Sequence, residues 1–209
     1  IAVRELLFAD PPDGLIQCID ANRLKQSLLL TLDLLELGLP LVLCLTAMEE
    51  TERQGLRIDA RRLARRLGVQ VVEHNAALNR GAEEVRAAVT RMRPAEWKPD
   101  YGPEVEQALA QGRGALPAAA RFPRLQTLLL LDADPRVEEE LAAEGGDVVE
   151  LQQAARRARR EAPAGWSRLL AGKRTALVEG IVAEVTSREP GRGGTAAAVA
   201  RLCRHPLWG

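Results

Sequence analysis

A regular alternation of short apolar runs with helix-like segments constrains the first part of this chain more than any other feature. The apolar runs of strand length are residues 15–19, 41–45 and 69–72. The segments with apolar side chains at helical spacing are residues 24–35, 58–67 and 82–92. Because parallel strands need a crossover connection, this order predicts a parallel α/β sheet. Residues 15–19 are consistent with a parallel strand that is covered on both faces, and residues 41–45 with a second buried strand.

The alternation ends at a proline-rich stretch, residues 94–103. Beyond it, segments rich in Ala, Leu, Arg and Glu are separated by Gly or Pro, which predicts an all-α region. The expected helices are residues 104–111, 118–131, 135–143, 148–161, 167–187 and 195–203. We therefore predict two domains, an α/β domain over residues 1–95 and a helical domain over residues 96–209. The arginine cluster at 156–160 is expected to be a solvated helix face rather than a phosphate site.

Charge and cysteine content limit the kinds of partner. Lys+Arg and Asp+Glu both number 29, so the formal net charge is zero and no overall field attracts nucleic acid or an anionic membrane. We expect no nucleic-acid partner, whereas a homo-oligomer is compatible with this composition. Cys18 and Cys44 lie in apolar runs, where a thiol is expected to behave as a small hydrophobe. Two separated histidines predict no metal site.

Residues 28–48 are apolar enough to suggest a membrane span. Asp33 and Glu36 lie within this segment, and a carboxylate at the membrane centre costs about 2.5–3.5 kcal/mol. Gly38 and Pro40 also divide it, so we interpret it as a helix followed by a buried strand. The chain opens at Ile1, inside an amphipathic stretch and without a signal-peptide pattern, and we expect the natural protein to begin upstream and to be cytoplasmic.

Polar residues follow each predicted strand, at the edge where parallel sheets bind their ligands. They are Asp20-Ala21, the stretch from Thr46 to Glu49, and Asn75-Ala76. On the residues alone, ordinary strand-end turns are the favoured interpretation, because a single T-x-x-E is a weak motif. The sequence contains no G-x-x-x-x-G-K-[ST], which excludes a phosphate-binding loop of that type. The glycine-rich residues 191–195 lack Lys and are expected to form a connection.

The sequence around these positions resembles the ferrous iron transport protein B family. The likeness is carried by residues 20–42, 57–69, 101–106 and 205–209, and it is strongest over residues 13–81. It implies the C-terminal half of a Ras-like GTPase domain, which has a P-loop NTPase fold, followed by a helical domain. In the intact parent, the resemblance implies a missing N-terminal half of the G domain and a fused membrane permease for Fe²⁺. This parent would lie at the cytoplasmic face of the membrane.

The resemblance also implies a guanine site, because such domains select guanine through an Asn/Thr-x-x-Asp motif. The implied contacts are Thr46, Met48, Glu49, Asn75 and Ala76. Glu49 takes the place of the Asp, and the Ala76 backbone N–H would meet the guanine carbonyl oxygen. GTP or GDP with Mg²⁺ is implied for the intact parent.

For the chain itself we assign no catalytic residue, and we predict neither GTP hydrolysis nor measurable GTP binding. One alternative is a pseudo-GTPase that acts as an interaction scaffold. Another is an unrelated receiver-like or helical adaptor protein.

Overall fold

The structure is a computed structural model that describes residues 7, 10, 12–76, 78, 80–114, 116–134, 136–145 and 148–188. The predicted helix at 195–203, the glycine-rich residues 191–195 and the family-like segment 205–209 lie outside the described residues.

Three strands form a parallel sheet, and two further strands pair separately. The strands are β1 (Leu15–Asp20), β2 (Leu41–Thr46), β3 (Leu56–Ile58), β4 (Gln70–Glu73) and β5 (Thr186–Arg188). The parallel sheet has the order β1-β2-β4, and β3 pairs with β5 in antiparallel fashion. Asp20 is in register with Thr46, and Leu45 with Glu73, so the carboxyl ends of the three parallel strands lie side by side. The predicted parallel α/β sheet is confirmed.

Helices connect the strands and then make up most of the second half. In the first half they are α1 (Leu24–Glu36), α2 (Met48–Arg53), α3 (Ala60–Leu67) and α4 (Ala82–Val89). In the second half they are α5 (Pro103–Arg113), α6 (Pro123–Leu131), α7 (Val137–Ala143), α8 (Val148–Glu161) and α9 (Trp166–Val185). Residues 28–48, interpreted as a helix and a buried strand, accordingly belong mainly to α1 and β2. Within the described ranges, no helix has the length and apolar character to cross a membrane.

The two faces of β1 differ, which corrects one prediction. All of residues 41–45 in β2 are buried, as predicted. In β1, Gln17 and Ile19 are buried, but Ile16 and Cys18 are exposed. Helix α1 covers the Gln17 side, where Thr31 donates a hydrogen bond to Gln17 at 2.8 Å. The other face of this edge strand is open, so Cys18 is not the buried thiol that its apolar run suggested.

Capping residues set the helix boundaries. The Asp59 side chain accepts a hydrogen bond from the Arg62 backbone N–H at 2.8 Å, so α3 begins at Ala60 rather than at residue 58. Gly68, with φ of 65°, ends the same helix.

The second half is not helical throughout. The predicted helix 167–187 stops at Val185, and the strand β5 follows it, because its backbone pairs with β3. Sequence periodicity could not show this, since β3 and β5 are three residues each and far apart along the chain.

The sheet and the later helices share one hydrophobic core. Ile19, Leu43 and Leu63 from the first half belong to the same buried cluster as Val105 and Ile181 from the second half. Helix α9 packs against α1 and α3, and the β3–β5 pair adds backbone hydrogen bonds between the halves. A smaller cluster lies within the later helices and contains Leu130, Val137, Leu141 and Ala155. The shared core therefore fixes the helices relative to the strand ends.

A partly buried ion cluster, centred on the buried Glu36 carboxylate, also joins the two halves. Arg124 on α6 donates to Glu36 of α1 at 2.5 Å, to both carboxylate oxygens of Glu106 at 2.8 and 2.9 Å, and to the Pro99 carbonyl at 2.6 Å. Burial raises the pKa of Glu36, and Arg124 only partly opposes this. Burial acts in the same direction on Glu106, but the hydrogen bonds from Arg124 and from the Tyr101 N–H outweigh it and lower the pKa.

Candidate functional site

A cleft of about 530 Å³ lies beside the carboxyl ends of β2 and β4. Its walls come from the start of α2, the start of α3, the end of β4 and the loop that leads to α4. Three of the residues predicted from the sequence line it: Met48, Glu49 and Asn75. Its volume is that of a pocket for a small organic ligand.

A direct hydrogen bond joins the two predicted guanine loops. The Asn75 side-chain amide donates to one carboxylate oxygen of Glu49 at 2.8 Å. The other Glu49 oxygen lies 3.9 Å from the Arg53 guanidinium, and about half of the Glu49 side chain is exposed. The structure thus brings together residues that are separated by β3, α3 and β4 along the chain. One Glu49 oxygen is held in place, while the carboxylate remains accessible to solvent.

Two other predicted positions hold strand ends and do not line the cleft. The Thr46 hydroxyl donates to the Ile19 carbonyl at 3.1 Å, which ties the end of β2 to the end of β1. The Asp20 carboxylate accepts the Asn22 backbone N–H at 3.0 Å and caps the turn after β1. Ala47, between Thr46 and Met48, has a φ of 59°, which turns the chain sharply into α2.

The loop after β4 is closed by its own backbone. Asn75 and Arg80 exchange two backbone hydrogen bonds of 3.0 Å, and the Asn75 side-chain oxygen accepts the Leu78 N–H at 3.1 Å. Gly81 ends the loop with a φ of 91°. Ala76 lies in this loop, is exposed, and is not among the residues that line the cleft.

Charged residues that sequence reasoning missed complete the cleft. Besides Glu49 they are Glu52, Glu73 and Glu84, together with Arg61 and Arg80. Carboxylates therefore outnumber guanidinium groups, so the cleft suits a ligand that donates hydrogen bonds better than it suits a phosphate. The early positions of Arg61 in α3 and Glu84 in α4 could have indicated them, since these helices begin near the strand ends. In the part of the chain that the structure describes, no three His, Cys, Asp or Glu side chains are grouped to hold a metal ion.

Two family models match the chain one after the other. The model described as ferrous iron transport protein B matches residues 1–89, and the model described as the FeoB cytosolic helical domain matches residues 101–187. The chain belongs to the ferrous iron transport protein B family. The resemblance noted from residues 20–42 and 57–69 is thereby confirmed, as is the fold class of a GTPase-type parallel sheet with a helical domain.

Curated FeoB transporters are similar to the first half of the chain. The Fe(2+) transporter FeoB of Salmonella typhimurium is 41% identical over 91 residues, which cover 44% of this chain and 12% of that protein. The Fe(2+) transporter FeoB of Escherichia coli K12 is 38% identical over 96 residues, which cover 46% of this chain and 12% of that protein. The matched segment thus spans about an eighth of the length of these relatives.

Solved FeoB structures have the same fold over most of the chain. The cytosolic domain of the T. maritima FeoB iron transporter in apo form has a TM-score of 0.72 and 27% identity, over 88% of this chain and 71% of that one. Its GMPPNP form has a TM-score of 0.72 and 25% identity, over 89% of this chain and 73% of that one. A GDP-bound mutant of the S. thermophilus FeoB G-domain has a TM-score of 0.75 over 89% of this chain and 74% of that one. At 24% identity, this similarity shows the fold alone.

Proposed function

We propose that the cleft is the base-recognising end of a guanine-nucleotide site in the cytosolic regulatory region of a ferrous iron transporter. The observation that carries this proposal is the Asn75–Glu49 hydrogen bond, which joins the loops after β4 and β2 beside one cleft. FeoB relatives are described as Fe(2+) transporters, and solved FeoB domains are described as GDP-bound or in GMPPNP form.

The chemistry of Glu49 fits a guanine edge. Guanine presents two neighbouring N–H donors, on the ring and on its exocyclic amine, and a carboxylate can accept both. Adenine has a ring acceptor in place of the first donor, so the same carboxylate would discriminate against it. Asn75 would hold the Glu49 carboxylate as a positioning residue, and the partly buried Met48 would supply apolar contact. Thr46 would position the β2 end, and the exposed Ala76 would offer its backbone N–H.

The cleft offers few groups that would bind the phosphates of a nucleotide. The sequence contains no phosphate-binding loop of the G-x-x-x-x-G-K-[ST] type, and the cleft carries more carboxylates than guanidinium groups. Phosphate and Mg²⁺ contacts contribute much of the affinity of such sites. We therefore propose that this chain binds guanine weakly and does not hydrolyse GTP. In the intact protein, other segments would hold phosphate and Mg²⁺, this region would lie at the cytoplasmic face of the membrane, and a membrane permease would carry Fe²⁺.

Backbone amide NMR with nucleosides tests base selection without depending on phosphate affinity. Guanosine at millimolar concentration is expected to shift the amide signals of Glu49, Glu73 and Asn75, whereas adenosine at the same concentration leaves them in place. Glu49→Ala should remove the guanosine response while its other amide signals stay those of the folded protein. Equal shifts with both nucleosides, or none, would contradict the proposed base site. Calorimetry with GTP and Mg²⁺ at micromolar protein is expected to give no saturable heat.

A pseudo-GTPase that acts as an interaction scaffold is the second candidate. It is favoured by the engagement of Glu49, one oxygen of which already accepts the Asn75 amide, and by the excess of carboxylates in the cleft. In that case, guanosine would cause no shift at Glu49 or Asn75 even at millimolar concentration. The nucleoside titration therefore separates the two candidates directly.

A further inference from the structure

Two cysteines from neighbouring strands lie side by side on one face of the sheet. Cys18 of β1 is in parallel register with Cys44 of β2. Side chains in register on adjacent parallel strands point to the same side of the sheet, and adjacent strands lie about 4.8 Å apart. This separation falls within the range of about 4.4–6.8 Å between Cα atoms that a disulfide can bridge. Both cysteines are reduced in the structure.

The two thiols differ in their access to solvent. Cys18 is exposed, because it lies on the open face of β1 next to the half-exposed Ile16. Cys44 is buried, with only 5% of its surface exposed, and burial together with the nearby Cys18 raises its pKa to about 11. A soluble oxidant can therefore reach Cys18 directly, whereas Cys44 is largely shielded from it.

We propose that Cys18 and Cys44 form a reversible oxidation site, in which peroxide reacts at Cys18 and Cys44 resolves the product to a disulfide between β1 and β2. The Cys18 thiolate attacks one oxygen of hydrogen peroxide, which breaks the O–O bond and gives a sulfenic acid and hydroxide. The Cys44 sulfur then attacks the Cys18 sulfur, an S–S bond forms, and the sulfenic oxygen leaves as water. Two thiols lose two electrons in total, and one peroxide becomes two waters.

The bond would lie close to the candidate functional site without including any of its residues. Cys18 precedes Asp20 by two residues, and Cys44 precedes Thr46 by two residues. A cross-link here would join β1 and β2 covalently just before the point where the Thr46 hydroxyl already ties the two strand ends. The proposal does not depend on guanine binding, because neither thiol lines the cleft.

Peptide mapping of the folded full chain tests the proposal. The third cysteine, Cys203, is first changed to Ser, so that only Cys18 and Cys44 remain. The chain is then treated with hydrogen peroxide, its remaining thiols are alkylated, and it is digested with trypsin. The digest should contain residues 5–23 linked to residues 26–53, and neither thiol should remain titratable. Dithiothreitol should restore both thiols. Absence of this linked peptide, or a disulfide found only between two copies of the chain, would overturn the proposal.

Single variants in the Cys203→Ser background distinguish a paired site from two independent thiols. With Cys44→Ser or Cys44→Ala, the Cys18 sulfenic acid has no resolving partner and should accumulate as a dimedone adduct. With Cys18→Ser, Cys44 should stay reduced under the same treatment. Circular dichroism verifies that each variant is folded, and two replacements at Cys44 guard against loss of folding by one of them. Equal dimedone labelling of Cys18 with and without Cys44 would rule out a resolving role.

Discussion

Two polar clusters of this protein use the same kinds of side chain in opposite surroundings. Around Arg124, the guanidinium makes hydrogen bonds to Glu36, Glu106 and the Pro99 carbonyl, and the Glu36 side chain is fully buried. Around Glu49, the carboxylate receives one hydrogen bond from Asn75, and about half of its surface stays in solvent. The first cluster lies between the sheet and the later helices, and the second lies at the strand ends.

The difference separates a structural role from the proposed binding role. A buried charge without its partner is costly, so the Arg124 cluster disfavours arrangements of α1, α5 and α6 that separate these groups. An exposed carboxylate can exchange water for a ligand at little cost, so the Glu49 cluster remains available for recognition. The shared hydrophobic core transmits the fixed arrangement to the strand ends, because α1 packs on the same sheet whose carboxyl ends form the cleft.

Loss of the Arg124 guanidinium should give the largest effect on stability. Arg124→Ala leaves the Glu36 carboxylate buried without its cation, and removal of one partner of a buried ion pair typically costs about 3–5 kcal/mol. Urea unfolding monitored by circular dichroism measures the free energy of unfolding. The matched control is Arg53→Ala, which breaks the exposed Arg53–Glu50 pair and should cost less than about 1 kcal/mol. Similar losses for the two variants would remove the distinction between the clusters.

A side chain at Gly81 should have the next largest effect on stability. It would act on the cluster around Glu49. A Cβ atom at this position would lie 2.3 Å from the Glu73 carbonyl oxygen, at a φ of 91°. We expect Gly81→Ala to cost about 1–3 kcal/mol and to displace the loop that carries Asn75. Gly145→Ala is the control, since Gly145 has a φ of 96° but, among the residues that the structure describes, no atom within 4 Å of its Cβ position. If both variants lose the same stability, backbone strain alone explains the result and the close contact contributes nothing.

The pH dependence of stability should differ in sign between the two carboxylates of the buried cluster. The pKa of Glu36 in the folded protein lies above its ordinary value of 4.5, so the folded state holds a proton that the unfolded state releases. Wild type should therefore lose stability relative to Glu36→Gln as the pH rises from about 4.5. The pKa of Glu106 is lowered, so wild type should lose stability relative to Glu106→Gln as the pH falls below about 4.5. Urea unfolding at a series of pH values measures both differences, and two trends of the same sign would contradict the opposite pKa shifts of the two carboxyl groups.

The strand and helix pattern was predictable wherever local chemistry decides it. The short, mainly apolar runs at 15–19 and 41–45 became β1 and β2, as runs of this length and composition indicate. The end of α3 at Leu67, just before Gly68, was predictable for the same local reason, whereas its start was predicted two residues too early. The open face of β1 was not predictable, because the residues of an apolar run do not indicate which helices or strands will cover each face.

Contacts between residues far apart along the chain could not be predicted from the sequence. Arg124 and Glu36 are 88 residues apart, and neither position differs in pattern from other charged residues on helices. Resemblance to a family selected Thr46, Met48, Glu49, Asn75 and Ala76. The Asn75–Glu49 hydrogen bond emerged only from the fold. Residue identity thus indicated the loops, and the contacts between the loops required coordinates.

The smallest expected effect concerns the Asn75–Glu49 hydrogen bond itself. Because one partner is half exposed, Asn75→Ala and Glu49→Ala should each cost about 0.5–1.5 kcal/mol or less. The double variant should cost less than the sum of the single variants, because the same hydrogen bond is removed in each. A double-mutant cycle measured by urea unfolding gives this coupling free energy. Strict additivity would mean that the two loops are not joined in solution, and Glu49 would then reach a ligand without the orientation that Asn75 provides.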